Sequence, residues 1–261
     1  MITKLRNSLT KLTKEYSHFS LLRFNSTMTA HIITEKDPTK IEGAKAPYPV
    51  IYTSTTPNGY KITTFCELLG IDYYVYPVTL SKNVQKEPWY LKFNANGRIP
   101  SLAYVEKDGS VRYINESAAI MLFLADRYDR ERKFSFEPGT SEYYDELEWI
   151  FFQMAGLGPM KGQWHWFEIF APQRDEFAIN RYYKETLRLI GVLDERLKRN
   201  GTGYLVSDHL TLADLVSYPW LRRVNIGNFL EDFKKFKNVV EWHAKLDKVP
   251  AIERGLTIPP N

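Results

Sequence analysis

Asn94-Ala95-Asn96-Gly97-Arg98-Ile99-Pro100-Ser101-Leu102-Ala103-Tyr104 is followed, after a polar turn at Lys107-Asp108-Gly109, by Val111-Arg112-Tyr113-Ile114-Asn115-Glu116-Ser117 and an apolar helical run. Two strand-like runs joined by a turn make a hairpin, and the second ends where a helix begins. Proline has no N–H and drives the residue before it to extended geometry. Ile99-Pro100 therefore reads as a kinked strand entrance whose backbone groups stay available to a peptide-like ligand. At the other end of the hairpin, Ser117 and the first free amides of the helix suit a carboxylate, while Glu116 can accept from an ammonium. A ligand with both groups on one carbon fits. Taken singly, an Ile-Pro strand start and an Asn-Glu-Ser helix cap are ordinary features. Their spacing around one hairpin is what points to a ligand.

The flanking sequence supplies a fold for this hairpin. Residues 50–52 are strand-like, Thr53-Ser54-Thr55-Thr56-Pro57-Asn58-Gly59 is a polar loop, and 60–70 is a helix with Ile62, Phe65, Cys66 and Leu69 at i, i+3, i+4 and i+7, which buries Cys66. A strand over 73–78, a short helix over 88–93, the hairpin strands 101–105 and 111–114, and a closing helix over 118–128 complete a compact α/β unit within 48–129. Strand, helix, strand, helix, strand, strand, helix is the order of a thioredoxin-like domain. Residues 130–140, ending in Pro138-Gly139-Thr140, read as a linker. The remainder, 141–261, is an all-helical (all-α) domain. Its helices fall over 141–155, 160–170 after a Gly156-Leu157-Gly158-Pro159 break, 174–198, 215–224 and 238–248, with Thr211-Leu212-Ala213-Asp214 as a capping-box-like start.

Residues 1–47 form an N-terminal extension. Its first thirty residues hold Lys4, Arg6, Lys11, Lys14 and Arg23 against Glu15 alone, and Leu5, Leu9, Leu12, Tyr16 and Phe19 make one apolar stripe. That is the composition of a mitochondrial transit peptide. The alternative is a disordered tail, with Met28 as a second possible start; residues 31–47 read as an unstructured lead-in. The tail's five bases against one acid account for the whole formal net charge of +4, so the rest of the chain is near neutral. Nucleic-acid binding, which needs a basic face on the folded part, has little support. One cysteine in 261 residues excludes an internal disulfide and points to a reducing compartment. No apolar run is long enough to span a bilayer.

The loop before the 60–70 helix carries the chemistry. In dithiol oxidoreductases of this fold a reactive cysteine precedes the proline at this place; here the pair is Thr56-Pro57. The chain cannot run a Cys-x-x-Cys cycle, so a sulfur nucleophile must arrive with the ligand. A free thiol titrates near 8.5 and attacks as the thiolate, so donors from Thr56 and Asn58 would favour the reactive form. Each pKa unit of lowering requires about 1.36 kcal/mol, within reach of one or two hydrogen bonds to an anion. By itself such a loop is also what a plain helix cap looks like.

A thioredoxin-like domain with Asn-Gly-Arg-Ile-Pro (96–100) and Asn-Glu-Ser (115–117), joined to a helical domain with Thr-Leu-Ala-Asp (211–214), resembles the cytosolic-type glutathione transferases from about residue 48 onward. Thr56-Pro57-Asn58-Gly59-Tyr60-Lys61-Ile62 and Gly156-Leu157-Gly158-Pro159-Met160-Lys161-Gly162-Gln163 are similar to the nu-class bacterial enzymes and to fungal proteins related to the yeast nitrogen-catabolite regulator. The resemblance implies glutathione as a substrate, without a metal. Its γ-glutamyl end would lie on Glu116 and Ser117, its cysteinyl backbone on Ile99 before a cis Pro100, its glycyl end near Gln85 and Arg98, and its sulfur would face the catalytic pair Thr56 and Asn58. Gln163, Trp164, His165 and Arg181 would border an acceptor pocket, although Trp164-His165-Trp166 also suits core aromatics. The implied activity is glutathione-dependent disulfide reduction, with peroxidase or conjugating (detoxification) activity on a small electrophile as further options. A homodimer in the cytoplasm, or in the mitochondrion if the extension is used, is expected. The alternative is a non-catalytic glutathione-binding regulator that holds a partner such as a transcription factor.

Overall fold

The computed structural model describes residues 29–222 and 226–260. Strands β1 (Ala30–Ile32), β2 (Tyr48–Thr53), β3 (Tyr73–Pro77), β4 (Ser101–Val105) and β5 (Val111–Asn115) form one sheet in the order β1-β3-β2-β4-β5. β3 is parallel to both β1 and β2, whereas β4 runs antiparallel to β2 and β5 antiparallel to β4. Every residue of β2 is buried, as a central strand covered on both faces requires. Period-2 alternation sorts its side chains. Ile51 and Leu102 face the large core with α1 (Pro57–Leu69) and α3 (Ser117–Tyr128), while Val50, Tyr52 and Ala103 face a smaller cluster beneath α2 (Pro88–Leu91).

The helical part runs through α4 (Ser141–Phe152), a π-helical turn (Gln153–Leu157), α5 (Gly158–Ile169), α6 (Glu176–Asn200), α7 (Leu212–Ser217), a 3₁₀ turn (Tyr218–Leu221), α8 (Phe229–Phe233), α9 (Lys237–Leu246) and α10 (Pro250–Gly255). The α/β unit followed by an all-α part is the expected fold class. Four local expectations are corrected. The lead-in over 31–47 is not unstructured: β1 adds a fifth strand at the sheet edge, and Tyr48 and Tyr52 donate their hydroxyls to the Pro38 and Lys36 carbonyls at 2.7 and 2.8 Å. Pro57, Asn58 and Gly59 belong to the first turn of α1, because Thr56 is the N-cap and accepts from the Gly59 N–H. The glycine-rich stretch 156–159 does not break the chain but closes the π turn into α5, with Pro159 in the first turn, where no N–H is needed. The apolar segment expected as one helix over 215–224 is the end of α7 and a 3₁₀ turn around Pro219; Val224, like the transit-peptide segment, lies outside the described residues.

Asp214 organises the centre of the helical part. It is wholly buried and accepts from the Leu205 N–H (2.9 Å), the Trp242 indole (2.8 Å), and the Thr211 N–H and hydroxyl (3.1 and 3.2 Å). Burial nevertheless pushes its carboxyl up to about 6. Removing it would leave buried donors unmet. Asp214→Ala is expected to lower the unfolding free energy by about 3 kcal/mol, read as a lower urea midpoint at unchanged slope.

Candidate functional site

A cleft opens where the sheet's β4 and β5 ends, the start of α1 and the start of α5 meet. One lobe, ≈ 570 Å³, is lined by Thr56, Asn58, Gln85, Arg98, Ile99, Pro100, Glu116 and Ser117, together with Leu80, Asn94, Asn96, Pro159 and Trp220. The structure thus brings together all eight residues singled out in the sequence for the thiol and for the peptide. A second lobe, ≈ 610 Å³, adds Lys61, Gln153, Met154, Gln163 and Trp166, and shares Asn58, Arg98, Glu116, Pro159 and Trp220 with the first.

At the α1 end of the cleft, Thr56 Oγ1 accepts from the Gly59 N–H at 3.1 Å, which leaves the hydroxyl hydrogen to donate elsewhere. The close turn demands glycine there: a Cβ at Gly59 would stand 2.3 Å from the Ser54 carbonyl. Trp220, from the helical part, donates its indole N–H to Asn58 Oδ1 at 3.0 Å. Because an indole can only donate, this bond fixes which end of the amide is engaged and leaves the NH₂ as the group that donates. At the middle, Ile99-Pro100 is cis, and the strand entrance is held by Asn94 Nδ2 and Tyr90 Oη, which both donate to the Arg98 carbonyl at 2.8 Å. Gln85 Oε1 is buried and has no hydrogen-bond partner among the described residues, an unmet acceptor at the edge of the lobe.

At the other end, Glu116 holds φ 72°, a conformation that costs a non-glycine residue roughly 1–3 kcal/mol and that recurs at ligand clamps. It is the N-cap of α3, so the first amides of that helix and Ser117 face the lobe as anion donors beside the Glu116 carboxylate. Beneath Ser117 lies Lys61, wholly buried, donating to Ser117 Oγ (3.2 Å), Gln153 Oε1 (2.6 Å) and Met154 Sδ (3.3 Å). Desolvation lowers its ammonium to about 7, against a smaller raising effect of Glu116. Cys66 is fully buried in the core, and burial holds its thiol well above its ordinary value, so it supplies no nucleophile. Among the described residues no cluster of three His, Cys, Asp or Glu side chains could hold a metal ion, and no helix is long and apolar enough to cross a membrane.

The four acceptor-pocket candidates do not converge. Gln163 lines the second lobe. Trp164 is 3% exposed and packs on Phe229 and Tyr183, so it belongs to the core. His165 borders a side cavity with Pro57, Lys161, Gly162 and Trp220, and Arg181 a separate groove with Met160 and Phe177 on α5 and α6. The helical turn of about 100° per residue is the reason: Pro159, Gly162, Gln163 and Trp166 share the cleft side of α5, and Trp164 points the opposite way. Sequence reasoning missed Lys61, Gln153, Met154, Trp166 and Trp220. Only Lys61 left a trace, as a lysine inside the helix that buries Ile62, Phe65 and Cys66.

A thioredoxin-like domain whose loop before α1 offers a hydroxyl and an amide instead of a thiol, with a carboxylate and a serine together at the N-terminus of α3, has the form of a protein that works on a thiol brought by its ligand. The chain belongs to the glutathione S-transferase family. Residues 56–127 match the glutathione S-transferase N-terminal domain and 165–254 its C-terminal domain. Glutathione S-transferase 1 of Schizosaccharomyces pombe is 36% identical over 207 residues, 75% of this chain and 89% of the relative. The disulfide-bond oxidoreductase YfcG of Escherichia coli is 35% identical over 208 residues, 79% and 93% of the two chains. The crystal structure of a glutathione transferase homolog from Lodderomyces elongisporus, with two GSH per subunit, superposes with a TM-score of 0.77 at 41% identity, covering 82% of this chain and 99% of that one.

Lys61 also gives the cleft a pH signature. An unfolded lysine keeps its proton to about 10.5, whereas buried Lys61 releases it near 7. Between those values the unfolded chain binds the extra proton, so rising pH favours the fold. The unfolding free energy of wild type is therefore expected to gain on that of Lys61→Met as pH rises from 7 to 10, measured by urea titration of both proteins at each pH.

Proposed function

We propose that the protein is a glutathione-dependent transferase acting chiefly as a disulfide reductase. The observation that carries this is the pair of lobes meeting at Asn58 and Trp220, in a chain whose one cysteine is sealed in the core. Glutathione lies in the first lobe, with its amino acid head on Glu116 and Ser117 and its cysteinyl backbone along Ile99. Its sulfur rests at the N-terminus of α1, where Thr56 Oγ–H and the Asn58 NH₂ donate to the thiolate. Two neutral donors to an anion supply roughly 1.5–3 kcal/mol each, enough to lower a thiol by one or more pKa units.

The thiolate attacks one sulfur of a disulfide in the second lobe. A new S–S bond forms to glutathione, the old one breaks, and the leaving thiolate takes up a proton. A second glutathione resolves the mixed disulfide, so two glutathiones are oxidised to glutathione disulfide as the substrate is reduced to two thiols. A small electrophile entering the same lobe would be conjugated instead. The pairing of lobes favours disulfide exchange, because the second accommodates a peptide-sized partner. It also favours catalysis over the role of a passive binder, which would need one lobe only.

The subunits are proposed to pair as a homodimer. Tyr144 and Phe151, two turns apart on α4, stand 62% and 63% exposed and suit an apolar contact with a second copy. Sedimentation equilibrium at micromolar concentration is expected to give twice the chain mass. A cytoplasmic location, or a mitochondrial one if the extension is used, goes with the reducing chemistry.

Reduction of 2-hydroxyethyl disulfide by glutathione tests the site. Thr56→Ala and Asn58→Ala are each expected to lower kcat/KM by about tenfold to a hundredfold, while glutathione affinity measured by calorimetry changes little. Equal rates in all three proteins would remove this loop from the mechanism.

A further inference from the structure

Lys61 is a wholly buried cation that the thiol chemistry leaves without a task. Burying an ammonium is expensive, and an apolar residue of similar size would fill the same space at lower free energy. The surroundings meet its three hydrogens with three acceptors: Ser117 Oγ from α3, and Gln153 Oε1 and Met154 Sδ from the π turn. An ammonium has no acceptor capacity, so Ser117 must receive from it, and the serine's own hydrogen is left to point elsewhere. Its present acceptor is Met154 Sδ at 3.6 Å, a thioether that any carboxylate would displace.

The charges around Lys61 are few. Glu116, at the junction of β5 and α3, is the carboxylate that acts on it, and Arg98 lines the same lobes. Gln153 and Met154 are neutral, and Lys161 of α5 is engaged with the Trp220 carbonyl at 2.5 Å. Next to one another, Glu116 and Lys61 form a negative and a positive pole, the complement of a zwitterionic amino acid head group.

We infer that Lys61 is a positioning residue of the cleft, whose ammonium supports the α-carboxylate of the ligand's γ-glutamyl end through Ser117 and turns the Ser117 hydroxyl toward it. This rests on the glutathione reading of the cleft. The carboxylate, once bound, draws a proton onto the amine, which burial alone keeps only partly protonated near neutral pH.

S-methylglutathione, which has no thiol to titrate, and its analogue with 4-aminobutanoyl in place of γ-glutamyl, which lacks the α-carboxylate, separate the outcomes. Isothermal calorimetry at pH 7.5 in buffers of different ionisation enthalpy reads affinity and proton uptake together. Wild type is expected to take up protons with S-methylglutathione and none with the analogue, a test that needs no variant. Lys61→Met and Lys61→Gln, both with cooperative thermal melts, are expected to bind S-methylglutathione about tenfold more weakly, without uptake, and to bind the analogue as wild type does. Wild-type affinity in Lys61→Gln, equal losses for both ligands, or uptake persisting in Lys61→Met would overturn the role of the charge and leave the glutathione site standing. Failure of wild type to bind S-methylglutathione at all would remove the site, and Lys61's part in it.

Discussion

From Lys61 to Glu67 helix α1 is buried on every side, and the rest of the molecule is arranged to make that possible. Its apolar side chains, Ile62, Phe65 and Cys66, go to the sheet, as a helix on a thioredoxin-like sheet must. Its opposite face carries Lys61, Thr63 and Glu67, none of which could be left unsatisfied in a dry interior. The helical part meets them in turn. Gln153 accepts from Lys61, the Gly255 carbonyl accepts from Thr63 at 2.6 Å, and Arg254 donates to Glu67 at 2.8 Å. Close approach makes this work: a Cβ at Gly255 would lie 2.4 Å from the Thr64 Cα. The two parts of the chain are thus joined by specific polar pairs, which fix register in a way that an apolar seam alone would not.

The cleft inherits its geometry from that docking. The N-terminus of α1 lies at the seam, so Trp220 of the helical part can hold the Asn58 amide and fill the wall beside Pro159. The π turn has the same origin. Gln153 and Met154, its first two residues, both accept from Lys61, and π turns are frequent at functional positions. The wall of the cleft and the docking of the two parts therefore share the same side chains.

The sheet, hairpin, closing helix and long α6 were legible because periodicity and turn chemistry are local. Equally local was the conjunction of Ile99-Pro100 with Glu116-Ser117, which one hairpin brings to the same lobe. What was not legible depended on partners distant in the chain. β1 is three residues long and gains its place only by pairing with β3. Trp164 and Gln163 are neighbours in sequence, yet one is core and the other cleft, a choice made by how α5 is rotated against α6 and α8. Lys61 looked like one more residue of an amphipathic helix, because a lysine facing a glutamine 92 residues away leaves no pattern in the sequence.

Two helix N-termini open into one cleft, and they are not equivalent. At α3 a zwitterionic head group would meet the first helical amides, a serine hydroxyl backed by an ammonium, and a carboxylate of opposite sign; such charge-assisted interactions are the stronger kind. At α1 the cap is already occupied by Thr56, and what remains to meet a ligand there is a hydroxyl hydrogen and an amide, both neutral. Affinity should therefore reside mainly at the head group and reactivity mainly at the thiol. A site divided in this way can release a peptide whose sulfur has reacted and accept a fresh one without changing its grip. That property suits a chain that borrows its nucleophile at every turnover.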